Sequence, residues 1–308
     1  MVIKNFLFHR VADETDALWP PMPVSLFEAL VSHLARTHEV ISLEAWVQGQ
    51  VSFKTRKPKA TILFDDGYKD NLDFAAPILS RHQCPASFYV VTQCIDHNIP
   101  TWTYQVDYLF QYTRQTSLSL DLDFVPEAFR NPAIPDAESR IHLGRRLKPW
   151  MKTLRNDQRQ QVLEGLQRGL PDVTIPRDRM MNWSEVRQLQ SAGFSIGSHS
   201  VTHPLLASIQ DEQDLRVELE QSAARIKAEL GFFPLVISYP IGSYDSRVME
   251  ISRQLGYTAG LAVEQRFYRP DSDDRFAIPR VELYDEPMWK CRLRISGIYG
   301  WLRKTLQR

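Results

Sequence analysis

Short apolar runs alternate along the chain with stretches in which apolar residues recur at helical spacing. Runs rich in β-branched and aromatic residues predict strands over 5–8, 61–64, 86–91, 194–197, 235–239, 258–263 and 276–283. Between them, amphipathic stretches predict helices over 26–38 behind a capping Ser25, over 69–81, over 184–192 ended by Gly193, over 212–230 ended by Gly231, and over 246–255 ended by Gly256. Strand and helix in repeated order imply a parallel sheet, and seven such strands favour closure into a barrel. From about 101 to 178 this rhythm lapses. Several prolines, no convincing strand pair and helical patterns over 104–115 and 137–169 read as a helical insertion between the third and fourth strands. The expected organisation is one α/β domain over 1–308, a distorted (β/α) barrel of about seven parallel strands. It carries the insertion at about 101–178 and a basic amphipathic tail over 287–308.

Composition changes this picture little. At 308 residues and 43% hydrophobic, the chain can bury a large core. Its 37 Lys and Arg cancel its 37 Asp and Glu, so charge makes no case for a nucleic-acid partner. Cys84, Cys94 and Cys291 form no C-x-x-C pair and are odd in number, which fits reduced thiols. The first ten residues are too short and too polar a run for a signal peptide. No stretch of about 18 apolar residues exists to span a membrane, so the sequence reads as a cytoplasmic chain. The tail sets Lys290, Arg292, Arg294, Arg303, Lys304 and Arg308 among Leu293, Ile295, Ile298, Tyr299, Trp301 and Leu302. It reads either as a capping helix with a solvated basic face or as a peripheral contact with an anionic membrane surface.

Candidate chemistry gathers at two strand ends. In TILFDDGYKDN, an apolar strand runs into Asp65 and Asp66 and then into Gly67, a residue suited to a sharp turn. Neighbouring side chains at a strand end diverge, so the two carboxylates can hold different jobs; both remain ionised only beside a cation. The same three residues also make an ordinary polar turn, and the balance depends on what lies elsewhere. In SIGSHSVTHPLL, His199 and His203 are four apart on a loop leaving another strand, since Pro204 disfavours helix at His203. Ser198 and Ser200 flank the first imidazole and can orient it. In a parallel barrel both strand ends lie on the same rim. One carboxylate and two imidazoles then make a three-ligand site with a position left for water, the pattern of a hydrolytic zinc centre.

The D-D-G turn, the later H-S-x-x-H at 199–203 and S-Y-P-x-G at 238–242 together resemble the polysaccharide deacetylases, the NodB-homology or carbohydrate esterase family 4 group. The resemblance implies a distorted barrel that uses a divalent metal, most often zinc, to remove N-acetyl groups from a sugar or glycan. It assigns Asp65 as general base, Asp66, His199 and His203 as metal ligands, and the Ile241 N–H as an oxyanion donor. Two departures stand out. Ser238 occupies the position of the family's usual Arg, leaving Arg280 as the candidate for orienting the base, and no His follows His203 to supply the family's L-x-H acid. Leu7-Phe8-His9 does read L-x-H, but at the front of the chain, which implies a circularly permuted barrel with His9 as the general acid. Trp183, Tyr239, Tyr68 and Trp102 lie near the motifs and are candidates for stacking on a sugar, or for ordinary packing. The departures keep open an inactive glycan-binding relative, and the chemistry alone keeps open a hydrolase of another, small C–N amide.

Overall fold

The structure, a computed structural model, describes residues 2–51 and 56–298. Strand β1 (Ile3–Phe8) pairs in parallel along its whole length with β3 (Lys59–Phe64), Phe8 lying opposite Phe64. Every residue of β3 is buried, as expected of a parallel strand covered on both faces. Strands β4 (Ser87–Val90), β5 (Ser195–Ser198), β6 (Val236–Ser238) and β7 (Ala259–Leu261) follow on one side of β3. Beyond β1 lies β8 (Val281–Glu282), giving the order β7-β6-β5-β4-β3-β1-β8 with every pairing parallel. A two-residue β2 (Glu39–Val40), too short to leave a sequence pattern, pairs with β3.

The expected last strand over 276–283 is not a continuous one. Its beginning pairs with β7, through the Ala262 N–H to the Ile278 carbonyl, and its end pairs with β1, through the Leu283 N–H to the Leu7 carbonyl. Pro279 lies between and has no N–H to give a ladder, so the segment bends as it passes from one sheet edge toward the other. Asn5 secures the crossing: its amide donates to the Pro279 carbonyl, and its oxygen accepts from Thr61. The curled sheet of a distorted barrel results, and the crossing brings Arg280, at 0% exposure, to the interior.

Helices cover the sheet. In α1 (Val24–Thr37), which starts directly after Pro23 rather than behind Ser25, Phe27, Leu30, Val31 and Leu34 are buried. Phe27 packs edge-on against Phe8 and Phe64. After the short α2 (Leu43–Val47), the expected helix over 69–81 divides into a wide π turn (Asn71–Ala75) and α3 (Ala76–Arg81); Pro77 has no N–H for the carbonyl four residues back. The β4–β5 connection holds α4 (Thr92–His97), α5 (Trp102–Tyr112), α6 (Glu127–Arg130), α7 (Ala137–Met151), α8 (Asn156–Gly169) and α9 (Trp183–Ser191). Helices α5, α7 and α8 share an apolar core of their own, built on Val106, Leu109, Phe110, Leu143, Leu147 and Leu166. The single helix expected over 137–169 is therefore two. Next come α10 (Glu212–Leu230), capped by Asp211 and ended by Gly231 at φ 80, and α11 (Ser246–Gln254).

The last described helix, α12 (Met288–Ser296), turns Cys291 and Ile295 into the main core, while Lys290 and Arg294 pair with Glu286. A helix engaged in this way gives no support to the membrane contact expected of the tail. The rest of that reading, including Tyr299, Trp301, Leu302, Arg303, Lys304 and Arg308, lies outside the described residues. Among the described residues no helix is long and apolar enough to cross a membrane. Cys84, Cys94 and Cys291 are free and buried.

Candidate active site

Where β3 ends, the Asp65 N–H donates to the Phe8 carbonyl and the Gly67 N–H turns back to the Asp65 carbonyl at 3.0 Å. A turn this tight puts Asp66 at φ 74 and Gly67 at φ 90, and it sends the two adjacent carboxylates in different directions. The Asp65 carboxylate meets Arg280 in a two-pronged pair, Nη1 to Oδ1 at 2.7 Å and Nη2 to Oδ2 at 2.8 Å. The Ser238 hydroxyl adds a third bond to Oδ2 at 3.0 Å, and the Arg280 Nε–H is fixed by the Ala262 carbonyl. Burial alone would raise the Asp65 pKa, but the guanidinium and the nearby His199 outweigh it and hold the carboxyl below its ordinary value. A guanidinium entering from the 276–283 crossing therefore reaches Asp65 from a strand other than the one that carries Ser238.

This pair is buried on both sides, so its members are not independently removable. Replacing Arg280 by Met is expected to strand the Asp65 charge and to lower stability by about 3–5 kcal/mol, read as a fall in the denaturant midpoint.

The second carboxylate faces the histidine loop. Asp66 Oδ1 lies 3.4 Å from His199 Nε2 and 3.3 Å from His203 Nε2, and one ligand atom from each residue falls within 4.8 Å of the others. Oδ1 is buried and without a hydrogen-bond partner. Two ligand atoms each about 2.0–2.1 Å from a tetrahedral ion stand about 3.3 Å apart, so the donors fit a small divalent cation. The charge also calls for one. Burial opposes ionisation of Asp66, yet the two imidazoles hold its carboxyl well below the usual range, and the neighbouring guanidinium is committed to Asp65. Burial lowers the His203 pKa and favours the neutral, ligating form; at His199 the same effect is outweighed by Asp65 and Asp66, which raise it.

The His199 ring is held from behind, whereas His203 is held through its backbone. His199 Nδ1 faces the Ser238 carbonyl at 2.8 Å, an acceptor, so Nδ1 carries the proton and Nε2 is left to coordinate. At His203 the N–H donates to Ser200 Oγ, and the carbonyl accepts the Trp102 indole N–H at 3.0 Å. Between them, Glu218 on α10 accepts the Val201 and Thr202 N–H groups at 2.9 and 3.0 Å and the Thr202 hydroxyl at 2.5 Å. The sequence signal for Glu218 was a charge on the apolar stripe of an amphipathic helix, one turn from the buried Leu215 and next to Leu219. Truncation to Ala should loosen the loop and weaken metal affinity about 10–100-fold with the fold retained, measured by titration against a competing chelator.

His9 follows β1 on the same rim. Its Nδ1 lies 3.4 Å from Glu282 Oε1, its ring meets Trp19 edge-on at 5.5 Å, and a charge there acts on both Asp65 and Asp66. Beyond β6, Ile241 adopts φ 58 and ψ 11 within the turn Pro240–Gly242. Among the described residues six non-glycine residues have positive φ, and four of them, Asp66, Ser200, His203 and Ile241, belong to these loops. Backbone strain is thus concentrated at the site.

The aromatic expectations need correction. Tyr239 is wholly buried against α10 and α11, with its ring stacked on Tyr244. Tyr68 is 1% exposed, its hydroxyl 3.1 Å from Thr101 Oγ1. Trp183 gives its indole N–H to Asp96 beneath Arg225. Trp102 buttresses His203 and borders a cavity of about 880 Å³ that opens behind the histidine loop, beside Arg159, Thr202 and Glu218. Three of the four rings serve the core, and the fourth supports the loop. Missed by sequence reasoning was Trp19, partly exposed beside His9 in a loop without a motif.

A family model described as polysaccharide deacetylase matches residues 53–260. No curated protein matches the chain. Among solved structures, it is similar to the Streptococcus pyogenes deacetylase PplD in complex with acetate, with TM-score 0.62 and 13% identity over 93% of this chain and 94% of that one. It is also similar to IcaB from Ammonifex degensii, with TM-score 0.61 and 14% identity over 96% of each chain. A de-N-acetylase from Aggregatibacter actinomycetemcomitans gives TM-score 0.59 and 15% identity over 93% of this chain and 97% of that one. At these identities the likeness is one of fold.

Proposed function

The chain belongs to the polysaccharide deacetylase family, and on that premise we propose that it is a metal-dependent hydrolase that removes N-acetyl groups from a carbohydrate or polysaccharide. One observation carries the reading: a guanidinium-clamped carboxylate, Asp65, stands beside the Asp66, His199 and His203 triangle on the rim that also bears His9. A divalent ion held by Asp66, His199 and His203, zinc by the chemistry of the donors, would supply Lewis acidity toward the acetyl carbonyl and a more acidic water.

The remaining work falls to the chain. Asp65, kept ionised and in one orientation by Arg280 and Ser238, accepts the proton of the attacking water. The oxyanion that develops on the acetyl carbonyl takes a hydrogen bond from the Ile241 N–H. His9, with its Nδ1 toward Glu282, delivers a proton from its other nitrogen to the departing amine. Because β1 lies directly beside β3, an L-x-H motif at the front of the chain reaches the place that a motif on a last strand would reach, which is the permuted arrangement we propose. Arg280 and His9 answer the two departures that left an inactive relative open. We take 1–308 as one catalytic domain with the 101–178 insertion.

Release of acetate and free amine from N-acetylated oligosaccharides, measured with and without chelator, tests this. Release that a chelator abolishes and added divalent ion restores is expected. No release from any member by metal-replete protein points instead to a glycan-binding relative, and release only from small amides points to another C–N hydrolase.

A further inference from the structure

The stretch of chain that carries Asp65 and Asp66 also grips the strand end that carries His9. On the near side of His9, the Phe8 carbonyl accepts the Asp65 N–H at 3.1 Å. On the far side, the His9 carbonyl accepts an N–H of the Asn71 side-chain amide at 2.7 Å. Planar peptides leave a residue only two soft dihedrals, so fixing the peptide on each side of His9 fixes the direction in which its side chain departs. Asp70 extends the grip: its Oδ1 accepts the Val11 N–H at 3.4 Å, and its Oδ2 accepts the Arg10 Nε–H at 3.3 Å. Beyond the backbone, the imidazole meets Glu282 at 3.4 Å and Trp19 edge-on, and it remains 22% exposed.

Helix capping does not account for these bonds. Asp70 stands at the start of the wide turn Asn71–Ala75, where an aspartate ordinarily accepts the N–H groups of the first turn, yet it makes no such bond. Asn71 is wholly buried, and its Nδ2 donates to Asp70 Oδ1 at 2.9 Å as well as to His9. Its Oδ1 is buried without a hydrogen-bond partner among the described residues. An acceptor buried in this way costs stability, and an apolar side chain of similar size would avoid that cost; what the asparagine adds is its donor. Both side chains thus serve the segment 9–11 rather than their own turn, and wide turns of this kind often mark functional sites.

We infer that Asn71 is a positioning residue for proton delivery: by holding the His9 carbonyl it registers the imidazole against Asp65, the base carried by the same stretch of chain. The inference rests on the reading of His9 as the general acid and deepens it. A proton donor displaced by a fraction of an ångström serves the departing amine less well and leaves attack on the carbonyl untouched.

The test compares amide and aryl acetate hydrolysis by the full chain carrying Asn71→Ala or Asn71→Leu, the second close to the native volume and unable to donate, each shown folded by circular dichroism. Amide kcat should fall about 10–100-fold, with KM, metal content and aryl acetate hydrolysis unchanged. In the His9→Ala background the same substitutions should change amide hydrolysis by less than about twofold, because a residue that acts only through His9 has nothing left to position. Equal losses on amide and ester, losses that add in full to those of His9→Ala, or native amide turnover in Asn71→Leu overturn the inference. If no acetate is released, or if His9→Ala itself loses amide and ester alike, the acid reading fails separately. Nuclear magnetic resonance of the histidine rings in histidine-labelled protein then decides: displaced His9 ring signals in Asn71→Leu, with those of His199 and His203 unmoved, support the tether, and any other pattern overturns it.

Discussion

Asp65→Asn is expected to reduce turnover by about 10²–10⁴-fold with its divalent ion still bound. The amide keeps the shape of the carboxylate and one acceptor for Arg280, but it cannot take the proton of the attacking water. It also leaves the buried guanidinium with a neutral partner, so the variant should lose stability, and its kinetics belong well below its unfolding midpoint. The measurement is acetate release together with metal content. Equal metal loss from Asp65→Asn and Asp66→Asn would show that the adjacent carboxylates do not divide the work as argued here.

His9→Ala should spare both fold and metal, because His9 is partly exposed and stands outside the ligand triangle. Its expected effect depends on the leaving group. An amine must be protonated as it departs, whereas the phenolate of an activated ester leaves unaided. Amide hydrolysis should therefore fall by about 10²–10⁴-fold while hydrolysis of an aryl acetate changes little. Equal losses on amide and ester would remove His9 from the acid role and with it the permuted motif.

Much of this site was legible in the sequence because its residues sit where strands end. Asp65, Asp66, His199 and His203 follow apolar runs directly, and a parallel sheet brings the carboxyl ends of its strands to one rim. Legibility failed where the third dimension decides. Side chains alternate along a strand, so once the Ser238 hydroxyl points at Asp65, its neighbour Tyr239 must point the other way, into the layer of α10 and α11. Proximity in sequence had suggested the opposite. Glu218 was hidden because the loop it holds lies 17 residues before it in sequence, and Arg280 could be nominated but not placed, since its approach depends on the bend that Pro279 imposes on the last strand. The wide turn at 71–75 and the two-residue β2 carry no period long enough to read.

The central claim is that Asp66, His199 and His203 hold one divalent ion, and elemental analysis of the purified protein tests it most directly. The account predicts about one divalent ion per chain in the wild type. It further predicts loss of that ion in each of Asp66→Ala, His199→Ala and His203→Ala, with circular dichroism showing the fold intact. A wild type that binds no divalent ion when supplied with it, or variants that keep the full complement, would contradict it.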